Sequence, residues 1–324
     1  MCVPPPLFLL SFFCCRSAPL PFSPLPLTPC LPHFPSALWD YPTLRNTLSL
    51  RGHKNAVLRV AWLPASTQQL ATASADRTCS LWDAPTGSRV RVFSGHERIV
   101  NDVAASHTPS CLLASASDDG ACILWDARSR HSVAHIPGNF PLLACALDSS
   151  SASQTLFTAG VEGVIRAYDL RGMGSSSSSS GSGSEGLLPT LTLEDAGGGI
   201  SSLAPSPSSS ELLALGFDGL ARSYDVQAFC AAPVRLKRGY DGGAPRASAS
   251  YDAGLLRASW SPGGDRVAMG GADKLVRVFD AQTSALLAAL PGHTGACVET
   301  AWHPKEAVIG SAGDRTCFLS ELAF

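Results

Sequence analysis

The sequence predicts an all-β propeller: a ring of small antiparallel sheets, each folded from one repeat of the chain. Three observations carry that expectation. Gly52-His53 is followed by Trp82-Asp83, then Gly95-His96 by Trp125-Asp126, and the two tryptophans stand 43 residues apart. That step is the length of a four-stranded propeller blade. Between the pairs lie short β-prone runs broken by turn residues. Glycine (29) and proline (24) are frequent, as many tight turns require.

The first unit reads as strands over Val57–Trp62, Leu70–Ser74 and Thr78–Trp82, split by turns at Pro64-Ala65-Ser66 and Ala75-Asp76-Arg77, with Arg89–Phe93 as a fourth strand. Such a sheet has two apolar faces and is not stable alone; stacking several in a ring buries both. Weaker copies follow the second unit. Tyr168-Asp169 comes 43 residues after Trp125, and Tyr224-Asp225 and Phe279-Asp280 come after steps of 56 and 55. The last unit opens with Gly292-His293, and its run Asp314–Glu321 echoes Asp76–Asp83. The third unit departs from the pattern, with Gly138-Asn139 for Gly-His and Glu162 for the Asp, and Ser320 stands where the last Trp should be.

Ahead of these six units, Ala37-Leu38-Trp39-Asp40 looks like the end of an earlier one, with Thr47–Leu50 as its outer strand. Its first two strands have no counterpart, and Phe324 follows directly on the third strand of the last unit. The expectation is a seven-bladed architecture over 37–324, with the first blade incomplete and six blades near-complete.

Residues 1–36 look foreign to that pattern. From Val3 to Ser36, Pro, Leu, Phe and Ser supply 26 of 34 residues, and ten prolines in the segment exclude a regular sheet. The apolar run Leu7–Cys15 suggests a signal peptide, but no Lys or Arg precedes it; the first, Arg16, follows. All four residue types have codons made only of C and T, so a translated intron end or a misplaced start is the other reading. Either way the segment is expected to be disordered.

Two insertions interrupt the rhythm. Residues 172–186 form a Gly/Ser-rich loop with six consecutive serines, a flexible tract by composition. Residues 226–253 carry Arg235, Lys237, Arg238 and Arg246, with Tyr240 and Tyr251 nearby. Such a basic-aromatic patch can touch RNA phosphates and stack bases, and a solvated loop is the blander reading.

Composition narrows the function classes. Apolar residues make up 45%, enough for a large core, whereas charged residues are only 15% and the net charge is −2, which argues against a chain-wide nucleic-acid footprint. No stretch of eighteen apolar residues suggests a membrane span. No C-x-x-C pair or zinc-type Cys/His spacing occurs, and Cys79, Cys122 and Cys317 fall at equivalent places in three units, too far apart to bond. They are expected to be reduced, buried thiols. No phosphate loop, metal cluster or isolated acid pair points to an enzyme, so no catalytic, cofactor or metal-binding residue and no small-molecule substrate is expected.

These units closely resemble the WD40 family. In that family a His, a Ser or Thr, an Asp and the Trp form a hydrogen-bonded chain inside a blade. The resemblance assigns the chain to His53, Ser74, Asp76 and Trp82 in one unit and to His96, Ser117, Asp119 and Trp125 in the next. Buried imidazole, carboxylate and indole groups must all be satisfied, and such a chain satisfies them mutually. A hydrolase triad occurs once and is defined by geometry, whereas this set recurs with the repeat.

The later units carry a narrower likeness: Asp225–Phe229, Leu255–Gly264, Gly271–Asp280, Leu290–His293 and Phe318–Leu322, with Ser117–Arg128 and Tyr168–Arg171 earlier. Together they resemble the spliceosomal WD-repeat subunits of the U5 small nuclear ribonucleoprotein. The resemblance implies a nuclear scaffold in pre-mRNA splicing, with spliceosomal protein partners and docking on the large central U5 scaffold protein. An adaptor of another machine, such as a ubiquitin ligase receptor or a chromatin reader, would use the same faces. Candidate partner-binding residues are Lys54, Asn55, Arg98, Asn139 and Phe140 on one loop face. Arg98 and Phe140 stand out because Arg and aromatic residues dominate interface hot spots. Arg235, Lys237 and Arg238 are the candidates for a peripheral RNA contact.

Overall fold

The computed structural model describes Leu7–Phe8 and residues 36–40, 45–63, 68–106, 111–129, 131–148, 155–171, 189–194, 198–207, 211–226, 236–241, 256–313 and 316–322. All regular elements among them are β-strands, and every pairing is antiparallel. Six consecutive sheets form the blades. Blade 1 comprises Val57–Trp62, Gln69–Ser74, Thr78–Asp83 and Ser88–Ser94. Blade 2 comprises Val100–Ala105, Leu112–Ser117, Cys122–Asp126 and Ser132–Ile136. Blade 3 comprises Leu142–Leu147, Thr155–Gly160, Val164–Asp169 and Leu191–Glu194. Blade 4 comprises Ile200–Pro205, Glu211–Gly216, Leu220–Asp225 and Leu236–Asp241. Blade 5 comprises Ala258–Trp260, Arg266–Gly270, Val276–Asp280 and Leu286–Leu290. Blade 6 has three strands, Cys297–Trp302, Val308–Gly313 and Thr316–Glu321.

Each blade is a meander, so its strand order is its sequence order. The inner strands of successive blades neighbour one another around the axis. A seventh, smaller sheet pairs Ser36–Asp40 with Arg45–Leu50 and adds Leu7–Phe8 at its far edge. That two-residue strand departs from the expectation of disorder throughout 1–36; the rest of 1–35 lies outside the described residues, as does the serine tract.

Burial explains why the sheets stack. The middle strands are almost wholly buried: Gln69–Ser74 and Leu112–Ser117 each expose only their first residue in part. One core cluster joins Ala71, Leu81 and Phe93 of blade 1 to Leu113, Ile123 and Trp125 of blade 2. Equivalent clusters join blades 2 and 3, 3 and 4, 4 and 5, and 5 and 6. The other face of blade 1 is covered by Leu48 and Leu50, which pack on Leu70 and Trp82. Outer strands such as Ser88–Ser94 are mostly exposed, so the rim is solvated.

The stretch 226–253 is not a simple insertion. Leu236–Asp241 within it forms the outer strand of blade 4, pairing with Leu220–Asp225. Tyr240 is fully buried, lies 5.7 Å from the Phe279 ring and donates its hydroxyl to the Ala281 carbonyl. It therefore ties blade 4 to blade 5 and offers no face to a nucleobase. The expected aromatic part of an RNA patch is corrected at this residue. Arg235 and Tyr251 lie outside the described residues.

Candidate functional site

The ring offers two polar constellations: the chains within blades and an ion cluster on the axis. In blade 1 the His53 ring sits 2.8 Å from Asp76 through Nδ1 and 2.7 Å from the Thr72 hydroxyl through Nε2. The Trp82 indole N–H donates to the same hydroxyl at 2.8 Å. Blade 2 repeats this with His96, Asp119, Ser115 and Trp125 at 2.9, 2.8 and 2.9 Å. The chain is directional: indole N–H to hydroxyl, hydroxyl to imidazole Nε2, and Nδ1–H to carboxylate.

The hydroxyl of each chain thus comes from Thr72 and Ser115, not from Ser74 and Ser117 as the resemblance assigned. Side chains alternate across a strand, and residues two apart share a face at different heights. Thr72 lies level with the indole nitrogen. Ser74, nearer the loop, instead donates to the Ala56 carbonyl at 2.9 Å and accepts from the Asp76 N–H at 3.1 Å. Ser117 similarly accepts from the Asp119 N–H at 3.2 Å. In blade 3 the equivalent position is Gly160, where an added Cβ would lie 2.0 Å from the Pro141 carbonyl oxygen.

These chains are structural in their electrostatics too. Burial drives His96 below its ordinary value, and the bond to Asp119 only partly offsets it. Burial acts to raise Asp76, but hydrogen bonds from His53, Thr78 and the Lys54 backbone outweigh it and hold the carboxyl low. The same balance lowers Asp119, chiefly through the Ala121 and Glu97 N–H groups. In blade 6, His293 reaches Ser311 at 2.9 Å and meets the Phe318 ring edge-on at 4.8 Å, while Ser320 occupies the tryptophan register. Each of these three imidazoles is bonded within its own blade. Among the described residues no group of three His, Cys, Asp or Glu could hold a metal ion, and no helix is long and apolar enough to cross a membrane.

The second constellation was not legible in the sequence. Asp102, on the inner strand of blade 2, forms ion pairs with Arg59 of blade 1, whose Nε lies 3.2 Å away, and with Arg257 just before blade 5, whose Nη1 lies 3.3 Å away. It also accepts the Cys145 N–H of blade 3 at 3.0 Å. Arg59 further donates to Glu299 of blade 6. Burial and the neighbouring Arg257 push Arg59 down to about 10, with Asp102 opposing. One carboxylate of blade 2 thus touches groups from three other blades, and an arginine joins the first blade to the sixth.

The expected contact residues lie together on one face. Lys54, Asn55, Arg98, Asn139 and Phe140 are all exposed. They precede the inner strands of blades 1 to 3, and the turns after the second strands reach the same edge, as Ala75 N–H to Ala56 O and Asp118 N–H to Ile99 O show. Phe140 is 48% exposed, and Ile99 and Val161 are large exposed apolar side chains on the same face. Lys237 and Arg238 lie on the outer strand of blade 4.

Among the described residues the cysteines are free thiols: Cys79, Cys122, Cys145 and Cys297 are buried, Cys111 and Cys317 partly so, and burial raises Cys79 and Cys297 to about 12.

The stacked meanders and the recurring His–hydroxyl–Trp chains define the class: a β-propeller that carries WD40-type repeats. The family described as "WD domain, G-beta repeat" matches residues 44–83, 87–126 and 248–280. Within that class, a 74-residue stretch is 42% identical to the "U5 small nuclear ribonucleoprotein 40 kDa protein" of Homo sapiens, covering 22% of this chain and 21% of that protein. The Mus musculus protein of the same description matches at 42% and that of Dictyostelium discoideum at 36%, over the same length. The matched stretch spans about a fifth of these relatives.

Proposed function

We propose that the protein is a non-enzymatic interaction platform of the U5 small nuclear ribonucleoprotein, acting in the nucleus in pre-mRNA splicing by docking on the large central U5 scaffold protein. The observation that carries this reading is the 42% identity to the U5 40 kDa protein. The geometry supports the platform role. A ring whose polar residues are spent on holding blades together leaves loops on its faces as the variable, partner-facing parts. The loop face with Lys54, Asn55, Arg98, Asn139 and Phe140 is the docking surface in this reading, with Arg98 and Phe140 as its anchors. In this reading residues 37–324 are the working domain.

Affinity purification of the full chain from nuclear extract tests the proposal. Recovery of U5 RNA with its proteins is the expected result. Recovery of a different complex, without U5 RNA, would support the second reading, an adaptor for a ubiquitin ligase or chromatin, which the shared WD40 architecture equally allows.

A further inference from the structure

Blades 1, 2 and 6 each bury an imidazole against a hydroxyl of the second strand. Blade 3 has no such imidazole. Aligned from the preceding outer strand, Asn139 takes the histidine's place, and its loop to the inner strand is one residue shorter than in blades 1 and 2. Asn139 is exposed, at the pocket's edge. Where the ring would stand there is a pocket of about 320 Å³.

Its walls are the positions that surround His53 and His96 elsewhere. Thr158 is the counterpart of Thr72 and Ser115, and Tyr168 that of Trp82 and Trp125. Both are more than nine-tenths buried, and both line the pocket. Pro189 completes the lining. At the entrance Gly120 and Gly138 pack backbone to backbone: a Cβ on Gly138 would lie 2.5 Å from the Gly120 carbonyl oxygen. Neither of these two positions can therefore carry a side chain of its own into the space.

Charge narrows the occupant. The one cation in the wall, Arg166, is paired with Glu162 at 2.6 Å, so the site does not call for an anion. What the walls offer is a buried hydroxyl able to bond a ring nitrogen, flat sides for a ring, and an apolar rim that includes exposed Phe140. We propose that this pocket receives a histidine side chain of a partner protein, which supplies in trans the imidazole that blade 3 lacks. The inference rests on reading the loop face as a docking surface, and it names the chemistry that surface recognises.

The test is an NMR titration of the full chain at pH about 7.5, where a free imidazole is mostly neutral. The probes are N-acetyl-histidine methylamide and its phenylalanine counterpart. The expected result is saturable shifts at Gly138, Thr158 and Tyr168 with the histidine probe, at least about tenfold weaker in Thr158→Val, which removes one charge-neutral hydrogen bond. A second variant replaces residues 138–141 with the sequence of 95–99, restoring loop length and imidazole together; it should lose probe binding and gain in Tm. Equal binding of the phenylalanine probe, no saturable shift, or a graft that still binds would each overturn the pocket's role. The U5 purification is scored separately. A graft that no longer binds the probe yet still recovers U5 RNA refutes this pocket as the U5 contact and leaves the platform reading standing; loss of U5 RNA from the wild-type chain refutes that reading alone.

Discussion

Thr72→Val discriminates between the two serine/threonine positions of the blade. The Thr72 side chain is wholly buried, and its hydroxyl sits between His53 Nε2 at 2.7 Å and Trp82 Nε1 at 2.8 Å. Valine keeps the shape, so little cavity opens, but two buried polar nitrogens lose their partner. At about 2 kcal/mol for each group left unsatisfied, the loss is about 4 kcal/mol. At about 2 °C per kcal/mol for a domain of this size, Tm falls by about 8 °C. Ser74→Ala is the control. The Ala56 carbonyl that Ser74 serves also receives the Ala75 N–H at 2.9 Å, so it stays paired. That loss should be about 1 kcal/mol, or about 2 °C. Calorimetry of both variants gives the comparison, and the Trp82 indole N–H resonance should move in the valine variant alone. If Ser74→Ala matched or exceeded Thr72→Val, the assignment of the hydroxyl would be wrong.

Three further outcomes are expected. Asp102→Asn leaves Arg59 and Arg257 without their shared carboxylate, and the urea midpoint should report a loss of about 3–5 kcal/mol, as for a broken buried pair; a loss below about 1 kcal/mol would show the axis cluster to be ornamental. Burial holds His96 below its ordinary 6.5, and Asp76 and Asp119 lie below 3.8, so the unfolded chain takes up protons first at each step. Stability is therefore intact above about 6.5, declines as pH falls through the histidine range, and declines again below about 4; Tm scanned against pH checks this, and His96→Asn should weaken the first decline. Finally, Cys79, Cys122, Cys145 and Cys297 are buried and their thiols raised, so native-state alkylation read by mass spectrometry should spare them until denaturant is added, and their labelling in the folded protein would contradict the packing.

The repeat was readable because a blade writes its own period. Gly-His and Trp-Asp mark turn and strand ends that local chemistry demands, and they located blades 1 and 2 to within a residue or two. The weaker units were found by aromatic-aspartate pairs at Tyr168, Tyr224 and Phe279, since any flat side chain can fill the tryptophan's place. Ser74 misled because a serine two residues before the turn aspartate satisfies the motif as well as Thr72 does; only depth along the strand separates them. Arg59, Asp102, Arg257 and Glu299 escaped notice for a different reason. Their association is set by ring geometry, and nothing local to any one of them announces it. Leu236–Asp241 is hard to see because Lys237, Arg238 and Gly239 hide a strand that the buried Tyr240 anchors. The pocket of blade 3 was half visible: Asn139 and Glu162 flagged a departure, but a vacancy is a property of the walls.

Arg59 and Glu299 are separated by 240 residues of chain. During vectorial synthesis, the inner strand of blade 1 therefore waits until the inner strand of blade 6 has emerged. Linear repeat arrays can harden unit by unit, each on its predecessor. Here blade 1 carries a cation whose remaining counter-charge arrives only with blade 6. Nascent chains should stay open at the axis until Glu299 has emerged, which makes the axis a part that matures in one late event and depends on protection before it.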